Sequence, residues 1–260
     1  MTNDRPQTPN PKSQTPPQLR LDRASFVAPV GSRYLLKDLS AAIFPGDRIV
    51  LAGASGAGKT LFLQLLNRRV EPSSGTVYLG DRDLRQIQPL KVRRSVTLVP
   101  SEPKLLGMTV GETLAYPLEL RGAKSSEIQS RVGEWRDRLQ IPANWMSRKS
   151  AQLSLGQRQQ VAIARALVIQ PAILLLDDPL VLLDGAMGDR LLTLLTELSQ
   201  TQKMTVIAST RQPDQMASFA QRLFYLQEGE LQDLPDPIDW TALTAQIAET
   251  ERQADREWGE

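Results

Sequence analysis

The chain has 260 residues, which suffices for one large domain or for a core with an appended subdomain. Its 31 lysines and arginines stand against 29 acidic residues, and so small an imbalance gives no support to nucleic-acid binding. The absence of cysteine excludes disulfides and thiolate metal sites, and the chain also lacks histidine. No stretch approaches the roughly 18–20 apolar residues of a membrane helix, so any membrane-spanning part must come from another chain.

The two ends of the chain differ in composition from its middle. Residues 1–18 are rich in proline and polar side chains and bury too little apolar surface to offset ordering, which predicts a disordered tail. Residues 19–234 are predicted to form the main domain. Residues 235–260 are acidic with apolar residues near helical spacing, which predicts a C-terminal helix or tail. Docking of that helix on its own domain is favoured over binding of a partner.

Apolar patterns in the main domain predict strands that alternate with helices. Leu19–Asp22 and Ser25–Val27 are predicted as early edge strands. The run Ile49–Ala52 predicts a buried strand before a glycine-rich turn, and a helix is predicted over Leu61–Arg69. Further strands are predicted at 75–80, 95–99, 172–176, 205–208 and 223–226, with helical patterns over about 110–170 and near 191–198. This order favours an α/β fold with a mainly parallel sheet and an inserted helical subdomain.

A phosphate-binding loop follows the strand at Ile49–Ala52. Its sequence, GASGAGKT, fits the pattern G-x-x-x-x-G-K-[ST] in full, and its context between a strand and a helix argues against an ordinary glycine-rich turn. Glycines allow a tight turn that brings backbone N–H groups to phosphate oxygens, and the following helix adds its positive end. The predicted ATP-binding residues of the loop are Gly53, Ala54, Ser55, Gly56, Ala57, Gly58, Lys59 and Thr60.

Two residues of this region are predicted to hold Mg²⁺. The hydroxyl of Thr60 ends the loop motif and suits direct ligation, while Lys59 reaches the β- and γ-phosphates. Asp177 follows the apolar run at 172–176, and a carboxylate emerging from a buried strand can hold the ion, through water. Apolar runs that end in Asp are common, so Asp177 alone would be weak evidence for a Mg²⁺ site, and the phosphate-binding loop makes it strong. Together they predict binding of MgATP.

A third motif resembles a specific family. The sequence LSLGQ at Leu153–Gln157, with the helical segment that follows, resembles the signature of ATP-binding cassettes, the ABC family, and lies about twenty residues before Asp177. Segments 75–80, 111–114 and 183–184 also resemble ABC landmarks in the expected order, so the resemblance covers roughly residues 19–231. A capped helix start with Ser154 as N-cap would explain the signature alone, but not the three motifs together.

The resemblance implies a fold, a mechanism and partners. The fold is a P-loop NTPase core with a mainly parallel sheet, an antiparallel β edge and an inserted helical subdomain. Two cassettes face each other, so that ATP lies between one loop and the signature residues Ser154, Gly156 and Gln157 of the other subunit. A separate transmembrane permease is the implied partner, received by the segment from 101 to about 116. This places the chain in the cytoplasm, on the inner face of the cell membrane, without a nucleic-acid partner.

Four positions depart from the family pattern, and three of them are the predicted catalytic residues. Asp178 stands where the family has a glutamate as base, Ser101 replaces a glutamine that senses Mg²⁺ and water, and Thr210 replaces a histidine on the γ-phosphate. Ala28 or a neighbour replaces the aromatic residue that stacks on adenine. Since the binding residues are intact and the catalytic ones altered, the sequence predicts ATP binding with slow hydrolysis.

Three hypotheses follow from these residues. The first is the nucleotide-binding subunit of an ABC transporter, an ATPase that forms a homo- or heterodimer and acts on a separate permease. The second is a degenerate cassette that pairs with a competent one and regulates it. The third, a soluble ABC ATPase of translation or DNA repair, is less favoured, because such proteins carry tandem cassettes or a long coiled-coil insertion. The transported substrate and its direction stay open.

Overall fold

A computed structural model describes residues 15–31 and 33–258, without the side chains of residues 255, 257 and 258. The tail predicted at 1–18 therefore lies outside the described residues except for its last four positions. Two sheets organise the fold, one antiparallel with four strands and one mainly parallel with six. Among the described residues, no helix combines the length and the apolarity needed to cross a bilayer.

The antiparallel sheet has the strand order β2-β1-β4-β5. Its strands are β1 (Leu19–Val27), β2 (Tyr34–Ile43), β4 (Ser74–Leu79) and β5 (Arg82–Asp83). The prediction of early edge strands at 19–22 and 25–27 was wrong, because both segments belong to β1, which lies between β2 and β4. The alternation of buried side chains breaks at Arg23, which has a φ of 46°, and the pairing register with β4 shifts between Asp22 and Ser25. This irregularity made one strand look like two.

The second sheet carries the buried apolar runs and has the order β10-β9-β3-β8-β7-β6. Its strands are β3 (Arg48–Ala52), β6 (Val96–Val99), β7 (Ile173–Leu176), β8 (Thr205–Thr210), β9 (Arg222–Gln227) and β10 (Glu230–Leu234). All neighbours pair in parallel except β10, which is antiparallel to β9. Because β8 lies between β3 and β7, the segments that follow these three strands meet at one edge of the sheet.

Helices cover this sheet and fill the long connection between β6 and β7. They are α1 (Lys59–Leu66), α2 (Pro89–Ser95), α3 (Val110–Glu119), α4 (Ser125–Arg138), α5 (Leu155–Leu167), α6 (Gly185–Gln202) and α7 (Trp240–Trp258). One apolar cluster packs α1 and the antiparallel sheet against one face of the six-stranded sheet. A larger cluster packs α3, α5, α6 and the start of α7 against the opposite face of the six-stranded sheet. The six-stranded sheet is therefore covered on both faces, and the C-terminal helix α7 packs against one of them.

Candidate functional site

The loop Gly53–Thr60 connects β3 to α1 and has the conformation that its glycines permit. Gly58 precedes the helix with a φ of 101°, a region that favours glycine. A Cβ at Gly58 would also come within 2.9 Å of the Leu36 side chain. The backbone of the loop is thus fixed by a left-handed residue and by packing against β2. The start of α1, whose first N–H groups have no partner within the helix, lines an open cavity.

The side chain of Lys59 folds back into the phosphate-binding loop. Its side chain is buried, with 7% of the residue exposed. The ammonium donates to the carbonyl oxygens of Gly53 at 2.6 Å and of Ala54 at 2.9 Å. Burial lowers the pKa of Lys59, and the nearby carboxylate of Asp178 acts in the opposite direction. The charge is therefore held at the loop by backbone oxygens, beside the cavity that Lys59 lines with Thr60.

The two predicted Mg²⁺ ligands lie in contact. Thr60 Oγ1 donates to Asp177 Oδ2 at 2.8 Å, and Ser209 Oγ donates to Asp177 Oδ1 at 2.7 Å. Asp177 is 3% exposed and emerges directly from β7. Hydroxyl and carboxylate oxygens are the hard ligands that Mg²⁺ prefers, so the residues present fit that ion. Sequence reasoning missed Ser209, whose only signal is its place in the strand beside β7.

Asp178 follows in a turn with a φ of 46°. Its backbone N–H donates to Ser209 Oγ at 2.9 Å. Burial raises the pKa of Asp178; the Lys59 charge opposes this shift and the Asp177 charge adds to it. Within the described part of the chain, Asp178 Oδ1 is buried without a hydrogen-bond partner. A carboxylate with a raised pKa and a free oxygen has the properties of a general base.

The other two predicted catalytic residues line two different cavities. Thr210 ends β8 and lines a cavity of about 370 Å³ together with Asp178, and its hydroxyl oxygen accepts from the backbone N–H of Gln212 at 2.9 Å. Ser101 is exposed after β6 and lines a separate groove of about 640 Å³ with Thr60 and Asp177. Ser101 thus shares a groove with the predicted Mg²⁺ ligands, and Thr210 shares a cavity with the predicted base.

The signature residues form the capped start of α5. Ser154 Oγ accepts from the backbone N–H of Gln157 at 3.2 Å, and Gln157 Oε1 accepts from the backbone N–H of Ser154 at 2.9 Å. A Cβ at Gly156 would lie 2.4 Å from the Leu182 carbonyl oxygen, so only glycine fits there. Among the described residues that line the cavity at Lys59, none belongs to this segment. The described signature residues therefore do not line the cavity beside the loop of their own chain.

The position predicted to lack an adenine-stacking residue lies just beyond β1. Ala28 is half-buried, and its backbone N–H donates to the Arg33 carbonyl at 2.8 Å. Sequence reasoning missed Tyr34, which pairs with Val27 across the strands and is 55% exposed. An exposed aromatic side chain therefore begins the neighbouring strand.

A carboxylate from the end of the chain also reaches the loop. The backbone N–H of Ser55 donates to Glu251 Oε1 at 2.8 Å. The same oxygen lies 3.9 Å from Nη1 of Arg211, which follows β8. Both residues were missed in the sequence, since no motif marks Arg211 or Glu251 and 196 residues separate Glu251 from Ser55.

The chain is similar to known proteins over most of its length. The family model described as ABC transporter matches residues 36–181. ABC transporter I family member 17 of Arabidopsis thaliana is 30% identical over 237 residues, which cover 91% of this chain and 89% of the relative. The Fe(3+) ions import ATP-binding protein FbpC of Brucella abortus is 34% identical over 209 residues, covering 80% of this chain and 59% of that protein.

Solved structures show the same fold. The dimeric post-hydrolysis ATP-binding cassette MJ0796, bound to ADP and Pi, aligns with a TM-score of 0.78 at 30% identity and covers 83% of this chain and 97% of that chain. The cbiO1 protein from Clostridium perfringens, part of the transporter complex cbiONQ, aligns with a TM-score of 0.75 and is 24% identical, which supports the fold alone. The α/β P-loop core predicted from the sequence is thereby confirmed.

Proposed function

The chain belongs to the ABC transporter family, and we propose that it is an ATP-binding subunit that couples hydrolysis of MgATP to transport through a separate permease. The observation that carries this proposal is the meeting of three strand ends, where Lys59 on the loop, the Thr60–Asp177 pair and Asp178 share one edge of the sheet. Its relatives are ATP-binding proteins, and they give no support to the alternative of a degenerate regulatory cassette.

Each group at this edge has a role in the proposed reaction. The loop N–H groups and Lys59 bind the phosphates, while Thr60 and Asp177 hold Mg²⁺. The ion, when bound, neutralises charge on the phosphate oxygens. Asp178 accepts a proton from the attacking water while the water oxygen bonds to the γ-phosphorus. The bond from that phosphorus to the bridging oxygen breaks, which releases ADP and inorganic phosphate.

Hydrolysis in the isolated cassette is proposed to be slow. The Asp178 side chain is shorter than glutamate by one C–C bond, about 1.5 Å. A misplacement of this size costs on the order of 100-fold in rate. Ser101 and Thr210 carry short hydroxyls where longer polar side chains serve the family, so fewer contacts hold the water and the γ-phosphate.

Two partners complete the proposed assembly. A second cassette supplies its own Ser154, Gly156 and Gln157 to the nucleotide, which is consistent with the absence of these residues from the described lining of the cavity at their own loop. The solved cassette MJ0796 is a dimer, which supports this arrangement. A transmembrane permease docks beside the groove that contains Ser101, which places the subunit on the cytoplasmic face of the membrane.

Substitution of Lys59 tests the assignment. Lys59→Ala should abolish ATP binding, because backbone donors alone would then have to hold about four negative charges. The matched control is Lys37→Ala, which removes an exposed ion pair with Glu230 and a side chain that lines none of the cavities at the site. ATP affinity is measured by titration of both purified variants with Mg²⁺ present. An unchanged affinity of Lys59→Ala for ATP would contradict the proposed function.

A further inference from the structure

The C-terminal helix α7 presents a carboxylate to the nucleotide loop. Glu251 Oε1 accepts from the Ser55 backbone N–H at 2.8 Å, within the run of donors that the loop offers to phosphate. The contact joins two parts of the chain that are distant in sequence, and Ser55 is exposed apart from it. The carboxylate thus occupies a donor that bound phosphate would use.

Packing explains why α7 lies at this place. Leu243, Ile247 and Glu251 follow each other at four-residue intervals and so share one face of the helix. Leu243 and Ile247 are buried in the larger apolar cluster, with Ile247 only 1% exposed. Thr244 Oγ1 donates to Asp214 Oδ1 at 3.0 Å, which fixes the helix to the turn after β8. The apolar positions dock the helix, and the next position on that face reaches the loop.

The loop suits a carboxylate for the same reasons that it suits a phosphate. Both are anions with oxygen acceptors, and the start of α1 adds a positive field that favours either. Arg211 lies 3.9 Å from the Glu251 carboxylate and adds attraction. Two anions cannot accept from the Ser55 N–H at once, and their charges repel each other in the partly buried site. Occupation by Glu251 therefore excludes a phosphate oxygen from this donor.

We propose that Glu251 is an internal competitor of the nucleotide, an autoinhibitory contact in which α7 must withdraw its carboxylate from Ser55 before ATP occupies the loop. The proposal rests on the proposed function, since it concerns the same phosphate site. The fraction of molecules with Glu251 seated is not competent to bind, and apparent affinity falls by that fraction. Binding of ATP in turn displaces the carboxylate, which couples occupancy of the loop to the position of α7.

Glu251→Gln tests the competition with a matched control on the same helix. The substitution keeps the side-chain size but removes the charge, so MgATP should bind about three- to tenfold more tightly. Glu249→Gln removes the same charge, but its carboxylate pairs with Arg252 on α7 itself, and affinity should stay within about twofold of wild type. Equal or weaker binding by Glu251→Gln would overturn the proposal.

Steady-state ATPase kinetics provide the second readout. Release of a competitor lowers KM and leaves kcat unchanged, because Glu251 is absent from the loop once ATP is bound. A fall in kcat in Glu251→Gln would instead make Glu251 a catalytic group and overturn the proposal. Binding measurements on both proteins distinguish failure of the autoinhibitory contact from failure of the proposed function. If wild type binds MgATP with the affinity of Glu251→Gln, only the autoinhibitory contact fails, whereas absence of binding in both proteins defeats the proposed function and the contact together.

Discussion

The backbone N–H of Asp178 donates a 2.9 Å hydrogen bond to the hydroxyl of Ser209, which binds the turn after β7 to the neighbouring strand β8. The main chain of the proposed base is thereby fixed, while its Oδ1 atom is buried without a partner among the described residues. Because the backbone is held, the length of the side chain determines how far the carboxylate extends into the cavity. This relationship makes Asp178 the most informative position for kinetics.

Turnover should follow the length and charge of residue 178. Asp178→Glu should raise the ATPase rate only several-fold, because Ser101 and Thr210 still hold the water and the γ-phosphate poorly. Asp178→Asn should lower the rate by about 100-fold, the smaller end of a general base's contribution. Restoring Ser101→Gln and Thr210→His together with Asp178→Glu should accelerate hydrolysis further. Steady-state assays with Mg²⁺ and the native partner chains give these rates, with the exposed Asp189→Asn on α6 as control. A wild-type rate equal to that of Asp178→Asn contradicts a slow enzyme and favours the regulatory cassette.

Asp178→Asn should stabilise the folded protein although it lowers the ATPase rate. Burial raises the pKa of Asp178 in the folded protein, so the folded state binds this proton more tightly than the unfolded chain. Stability contributed by this group therefore falls as pH rises through the folded-state pKa. Asp178→Asn should unfold at a higher temperature than wild type at neutral pH, with the difference vanishing towards about pH 4. Thermal melts across this range would show parallel curves for the two proteins if the ionised carboxylate had no cost.

Nucleotide selectivity should be weak because Ala28 offers no stacking surface. Stacking contributes about 1–3 kcal/mol per base, so ATP and GTP should bind with affinities that differ by less than about tenfold. Ala28→Tyr should widen this preference. Competition titrations with both nucleotides measure it. A preference of about 100-fold in wild type, about 2.7 kcal/mol, would mean that another residue supplies the platform. Loss of that preference in Tyr34→Ala would identify it.

Breaking the buried ion pair between Arg222 and Asp47 should lower the stability of the folded protein more than breaking the exposed ion pairs. Arg222 Nη1 donates to Asp47 Oδ2 at 2.7 Å, and both side chains are largely buried where β9 meets the start of β3. Asp47→Ala should lower the free energy of unfolding by about 3 kcal/mol, since it leaves a buried guanidinium short of a partner. Asp233→Ala removes the more exposed partner of Arg222 and should cost less than about 1 kcal/mol. Urea unfolding of both variants checks the order.

Much of the fold follows from patterns that are local in sequence. The apolar runs that became β3, β7, β8 and β9 are buried along nearly their whole length, so each run in the sequence marked the position of its strand. The loop at Gly53–Thr60 needs a glycine with positive φ and a buried lysine, and both requirements appear in its motif. The pairing of Thr60 with Asp177 was also predictable, because both belong to one Mg²⁺-binding pattern.

The remaining features depend on contacts between distant segments. A left-handed residue within a strand, such as Arg23, has no consistent signal, so β1 was divided in two. Ser209 acquires its role from the neighbouring strand, and Glu251 acquires its position from the docking of Leu243 and Ile247. Polar residues of these types occur throughout the chain. Only tertiary packing distinguishes the ones that reach the site.

The close approach of Gly156 to the Leu182 carbonyl has a mechanical consequence. Any side chain at this position would push the start of α5 away from the segment between β7 and α6, so the two lie in close contact only because residue 156 is glycine. The same segment carries Asp178, so the signature residues at the start of α5 pack against the part of the chain that holds the proposed base. In the proposed dimer, the residues offered to the second cassette's nucleotide would therefore be in packing contact with the segment that carries the chain's own proposed base.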